Sequence, residues 1–142
     1  MGYSLHICKA VEEDLGCLWE SQESEAALWD ELIDLLLGNA ALREQLSRHN
    51  GYNAIQPHFD TVPVQQYLKQ GFNVIRLKLY LDRGSPAPHR LLFTLQHTAA
   101  DSGKICLLGL MLRSENYDPR SSFGSRICNQ YDELGVAHTP RG

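Results

Sequence analysis

The chain lacks any long hydrophobic run. No apolar stretch reaches the roughly 18 residues that span a bilayer, so a membrane-crossing helix is not expected. Its first residues, Met1-Gly2-Tyr3-Ser4-Leu5-His6, have neither the basic start nor the apolar core of a secretory signal. His6 stands where the myristoylation pattern requires Ser or Thr. Cysteine is scarce: the four are Cys8, Cys17, Cys106 and Cys128, and no pair has CxxC spacing. That spacing argues against a zinc site. Cys8 and Cys106 lie in apolar runs and are expected as buried, reduced thiols of a cytoplasmic protein. The phosphate-cradling GxxxxGK[ST], the dinucleotide-binding GxGxxG, the nucleophile-elbow GxSxG and the zinc-binding HExxH are all absent. There is no internal repeat and no low-complexity tract.

The 142 residues are 43% hydrophobic and 21% charged, which suits one folded domain over 1–142 with a modest core. The net charge of -4 disfavours a nucleic-acid binder at first sight, but the charge is unevenly distributed. Residues 1–68 hold 3 Lys/Arg against 11 Asp/Glu, whereas residues 69–126 hold 9 against 4. Such asymmetry hints at an anionic partner for the basic segment. The plainer alternative is that acids decorate exposed helices and bases decorate strands.

Tyr3 to Cys8 alternates loosely, as a short strand does. Val11, Leu15, Leu18 and Trp19 then recur at helical spacing. A second helix, with Ser24 as its expected N-cap, carries the stripe Leu28, Trp29, Leu32, Ile33, Leu36 and Leu37. Gly38-Asn39 ends it, and Asn39 is placed to cap a third helix with Leu42 and Leu46. Residues 50–63 read as loop, and 64–69 as either a short helix or an extended segment. Phe72 to Leu81 alternates: Ile75, Leu77, Leu79 and Leu81 point one way, and Arg76, Lys78 and Tyr80 the other. Gly84 to Pro88 turns the chain into a strand over 89–97, and Asp101-Ser102-Gly103 into one over 104–112. The last looks buried on both faces, hence central. Ser122 to Ser125 start a closing helix (about 123–134) stopped by Gly135, and the tail after it is expected to be loose. The expected fold is α+β, a small antiparallel sheet in β-α-α-β-β-β order with helices packed on one face.

Arg76, Lys78, Arg90 and Arg113 all fall on this meander, where they can converge on one anion. RNA cleavage by its own 2′-hydroxyl needs a base, an acid and cations around the phosphorane, and Arg and Lys can supply that charge without a metal. Arg grips phosphate bidentately, while Lys acts as a point charge. Tyr117, His89 and His97 are the nearby proton carriers, with Arg90 and His97 on opposite faces of their strand. Each has a plainer role: His89 as a loop residue, Lys78 snorkelling over the sheet, Arg113 ending a strand and Tyr117 packing a turn. His6, His49, His58 and His138 have no ligand spacing, and Asp118-Pro119 reads as a turn.

In this pattern the chain resembles the RelE/ParE toxin superfamily of bacterial type II toxin–antitoxin systems. The likeness runs over the element order of the core, about residues 3–117. It is sharpest in His89-Arg90-Leu91-Leu92-Phe93, followed by a turn and an apolar strand ending in Arg113-x-x-x-Tyr117. The resemblance implies a RelE-like mRNA interferase, a cytoplasmic, ribosome-associated endoribonuclease without metal or cofactor. It implies that Arg90 binds the scissile phosphate, that Tyr117 stacks on or activates the mRNA, and that Arg76 and Lys78 assist. His89 or Lys78 would serve the other proton step, with Arg113 at the edge of the RNA site. The implied partners are a cognate antitoxin, in a heterotetramer or larger assembly, and the ribosome with its mRNA. The chain departs from the family in its acidic net charge, in Met111 where a second basic residue is common, and in a continuation over 114–142. The acidic charge points to an alternative, a non-catalytic interaction protein on the same fold, such as a ParE-like gyrase inhibitor or an inactive toxin homologue. An unrelated α+β binding domain is the third possibility.

Overall fold

The computed structural model describes residues 2–48, 52–53, 58–81, 84–112 and 117–138. In chain order the elements are β1 (Gly2–Ile7), α1 (Lys9–Ser21), α2 (Glu23–Gly38), α3 (Ala40–Ser47), β2 (Tyr52–Asn53), β3 (Phe59–Pro63), α4 (Gln65–Leu68), β4 (Ile75–Tyr80), β5 (Pro86–Ala99), β6 (Ser102–Leu112) and α5 (Ser122–Glu133). The strands form one mixed sheet in the order β1-β6-β5-β4-β3-β2. β1 runs parallel to β6, and every other neighbouring pair is antiparallel. None of the helices in the described residues is long and apolar enough to cross a membrane.

The helical stripes turn inward as their spacing requires. Val11, Leu15 and Leu18 of α1 and Ala26, Trp29, Leu32, Ile33 and Leu36 of α2 are buried. They pack with Leu46 of α3 against Ile75, Leu77, Leu79, Leu91, Phe93, Leu107 and Leu110 of the sheet. Each such side chain contributes about 1.5–3 kcal/mol, which fixes the helix faces. Asn39 caps α3, its Oδ1 accepting from the Leu42 amide at 3.1 Å. Gln22, rather than Ser24, precedes the first residue of α2, and no side chain caps that end.

The antiparallel meander stands as β4, β5 and β6. Strand β6 is interior, flanked by β1 and β5, but second from the edge rather than central. Two strands fall within the expected loop, since β3 extends the sheet beyond β4 and β2 follows it. Strand β5 begins at Pro86, where a turn was expected. Proline is tolerated there because the β4 pairing shifts register between Lys78 and Tyr80, and the pairing with β6 starts only at His89.

Helices lie on both faces of the sheet, not on one. Leu92, Leu108 and Met111 make the second face apolar, and α5 covers it with Ile127 and Tyr131. Val64, Tyr67 and Val74 join that layer, with Gln65–Leu68 helical. Gly109 lets α5 sit close, since a Cβ there would lie 2.9 Å from Ile127 Cδ1 and 3.0 Å from Arg126 Nη2. The α5 N-terminus is capped by Ser121, and Gly135 follows it at φ +73°. The segment after α5 is docked through residue 138. Val136 is buried, His138 stacks edge-on with Phe72 and Tyr131, and the Tyr131 hydroxyl donates to the Ala137 carbonyl at 2.6 Å.

Candidate anion-binding face

Strand alternation and register place the basic residues. Burial alternates along β4, with Ile75, Leu77 and Leu79 buried and Arg76, Lys78 and Tyr80 half-buried on the opposite face. Lys78 lies directly across from Arg90 of β5, and Arg76 across from Leu92. Directly opposed residues project to the same side of a sheet. Arg76, Lys78 and Arg90 therefore share the face that carries α5, with Met111 opposite Arg90 on β6. Tyr117 is half-buried and packs against the apolar cluster of that same face.

The strand β3 brings an acid to this row. Asp60 stands opposite Lys78. Its Oδ1 accepts from Arg76 Nη1 at 2.8 Å, and its Oδ2 from the Tyr80 hydroxyl at 2.7 Å. Burial alone would raise the Asp60 pKa. Hydrogen bonds from Tyr80 and Arg76, with the charges of Arg76 and Lys78, outweigh it and hold the carboxyl below its ordinary value. The face thus sets two cations, Arg76 and Lys78, beside one carboxylate, with Arg90 one strand further on. Arg90 is only 3% exposed. Its Nη1 donates to the Ala87 carbonyl at 2.5 Å and the His89 carbonyl at 3.1 Å.

His89 is not part of this group. Adjacent residues of a strand point to opposite faces, and His89 turns toward α2. Its Nδ1 lies 2.9 Å from Glu25 Oε1, and its backbone amide donates to Glu25 Oε2 at 2.9 Å. Trp29 Nε1 donates to the same carboxylate at 3.0 Å. Burial of Glu25 pushes its pKa up, but the hydrogen bonds from His89 and Trp29 more than offset this and lower it. His97 is exposed, with its Nδ1 3.2 Å from the Tyr3 hydroxyl. Arg113 lies outside the described residues.

Asp60 and Tyr80 had no role in the sequence-based site. Asp60 sits in the stretch that reads as loop, and its cross-strand partner is 18 positions away. A second polar junction, also unforeseen, closes the sheet margin beside β1. There Asp14 of α1 accepts from Arg126 Nη1 and Nη2 at 2.9 and 2.6 Å and from the Leu110 amide at 3.0 Å. It fills the edge of β6 beyond Leu107, the last residue paired with β1.

All four cysteines are free, with Cys8 and Cys106 buried and Cys17 exposed. Burial pushes the Cys8 and Cys128 thiols up to about 11, which disfavours a nucleophilic role for either. Among the described residues no group of three or more His, Cys, Asp or Glu side chains is arranged to hold a metal ion. No protein-family model matches the chain, and neither a curated protein nor a solved structure matches it.

Proposed function

We propose that the chain is a RelE-like toxin of a bacterial type II toxin–antitoxin system, an endoribonuclease that cleaves mRNA on the ribosome. The observation that carries this reading is the row of Arg76, Lys78 and Arg90 on one face of two adjacent strands, with Lys78 and Arg90 in direct register. A fixed cluster of cations on a rigid sheet suits a phosphodiester and the charge that builds on it. The order of strand, helices, meander and closing helix supports the reading as well.

In the proposed reaction the 2′-oxygen bonds to phosphorus and the bond from phosphorus to the 5′-oxygen breaks. The 2′-hydroxyl gives up its proton to a base, and an acid protonates the departing oxygen. The products are a 2′,3′-cyclic phosphate and a 5′-hydroxyl. Lys78 meets the phosphate. Arg90 contributes a fixed charge from beneath, oriented by the Ala87 and His89 carbonyls. Asp60 steers Arg76, and Tyr117 stacks on a base or carries a proton. His89, on the opposite face, positions β5 rather than touching RNA. The antitoxin covers the basic face until it is removed, in the cytoplasm of the cell that makes both.

A second reading is favoured by one observation. Arg90 is nearly inaccessible and Arg76 is ion-paired, as suits a non-catalytic interaction protein, either a ParE-like gyrase inhibitor or an inactive toxin homologue. Controlled expression in bacteria separates the two. The nuclease reading expects growth arrest with cleavage of translated mRNA. It expects Lys78→Ala to lower cleavage by about 10²-fold while the fold persists. Growth arrest with intact mRNA would overturn it in favour of the second reading.

A further inference from the structure

Helices α1 and α2, over residues 9–38, carry nine Asp/Glu and one Lys. Among the described residues two of the nine are answered internally, Asp14 by Arg126 and Glu25 by His89. Among the described residues no Lys, Arg or His forms an ion pair with Asp30, Glu31 or Asp34. These three line a cleft of about 480 Å³ on the outer side of the α1–α2 hairpin, together with Trp19, Ala27 and Leu35. Trp19 is 39% exposed, and its Nε1 donates to Asp30 Oδ2 at 3.3 Å, which holds the indole beside the acids. Leu37, 52% exposed, continues the Ala27, Asp30, Asp34 stripe by helical spacing.

We propose that this cleft docks a cationic, amphipathic segment of a partner protein. The segment's apolar side chains rest on Ala27, Leu35 and the edge of Trp19, and its Lys or Arg groups meet Asp30, Glu31 and Asp34. A guanidinium over the indole adds cation–π attraction. The occupant is cationic because every charged group lining the cleft is an acid. The cleft lies outside the helices, and the basic row lies on the far face of the sheet. Both surfaces can therefore be occupied at once, and the proposal does not depend on the nuclease reading.

The test uses a fluorescein-labelled amphipathic Lys/Leu peptide, with a Glu/Leu peptide of equal length as control. Binding to the full chain is followed by anisotropy and by Trp19 emission. Trp29 is fully buried, so Trp19→Phe should remove the emission change, and the anisotropy change should persist at weaker affinity, because the indole is part of the cleft. A double variant, Glu31→Lys with Asp34→Lys, should weaken binding at least about tenfold. Glu12→Lys with Glu13→Lys makes the same change in net charge at exposed positions of α1, and should alter affinity by less than about twofold. Added salt should weaken the complex, because exposed charges are screened. Equal loss in the two double variants, equal binding of the Glu/Leu peptide, or no saturable binding would each overturn the proposal.

Discussion

Truncation of Glu25 to Ala tests how the helical layer is locked to the sheet. One buried carboxylate accepts from the His89 amide, the His89 ring and the Trp29 indole. Removing it strands the amide of a strand residue and the Nε1 of a fully buried tryptophan. An unsatisfied buried donor costs about 1–3 kcal/mol, so two of them imply a loss of about 2–6 kcal/mol. At about 2–4 °C per kcal/mol for a domain near this size, the melting temperature should fall by about 5–20 °C. The pH dependence has a definite sign. The Glu25 pKa is lowered on folding, so its contribution is fully present above the ordinary Glu value. It is lost as pH falls through the lower folded-state value. The gap between wild type and Glu25→Ala should therefore be constant near neutrality and shrink in acid. Thermal melts followed by circular dichroism at several pH values measure both quantities. A melting temperature within about 2 °C of wild type at pH 7 would refute the reasoning, as would a gap that widens in acid.

Two other substitutions probe the second layer and the basic face. Gly109→Ala should destabilise by no more than about 1 kcal/mol, because the atoms its Cβ would meet are the side-chain ends of Ile127, Arg126 and Phe123, which can shift. Adding Ile127→Val removes the Cδ1 atom and should recover part of that loss in denaturant melts; no recovery would show that α5 does not press on β6 there. Asp60→Asn should weaken the Arg76 and Tyr80 bonds, lowering stability by about 1–3 kcal/mol. It should also tighten binding of a short single-stranded RNA in a filter assay, because the face gains one net positive charge. Unchanged or weaker RNA binding would count against this face as the contact surface.

Much of the fold was legible because it is local. The stripe Trp29, Leu32, Leu36 has helical spacing and is buried as that spacing requires, and Asn39 and Gly135 serve at the helix ends where their chemistry suits them. The alternation of β4 placed Arg76 and Lys78 together. The strand β3 was not legible: it is five residues long, ends in Pro63, and is a strand because β4 lies beside it. The closing helix was visible, but the face it packs on depends on tertiary structure. The apolar character of β6 on both faces was the available hint that one layer of helices would not suffice. Alternation alone separates His89 from Arg90, whereas the burial of Arg90 depends on the Lys78 and Met111 registers, which no local pattern reveals.

The most direct measurement of the central claim adds the purified chain to translating ribosomes and maps the ends of the mRNA fragments. The nuclease account predicts cleavage that leaves a 2′,3′-cyclic phosphate and a 5′-hydroxyl, abolished by a single 2′-deoxy substitution at the cut site and weakened by Lys78→Ala. Intact mRNA under conditions where the chain arrests growth would contradict it, as would a cut that persists at the 2′-deoxy site.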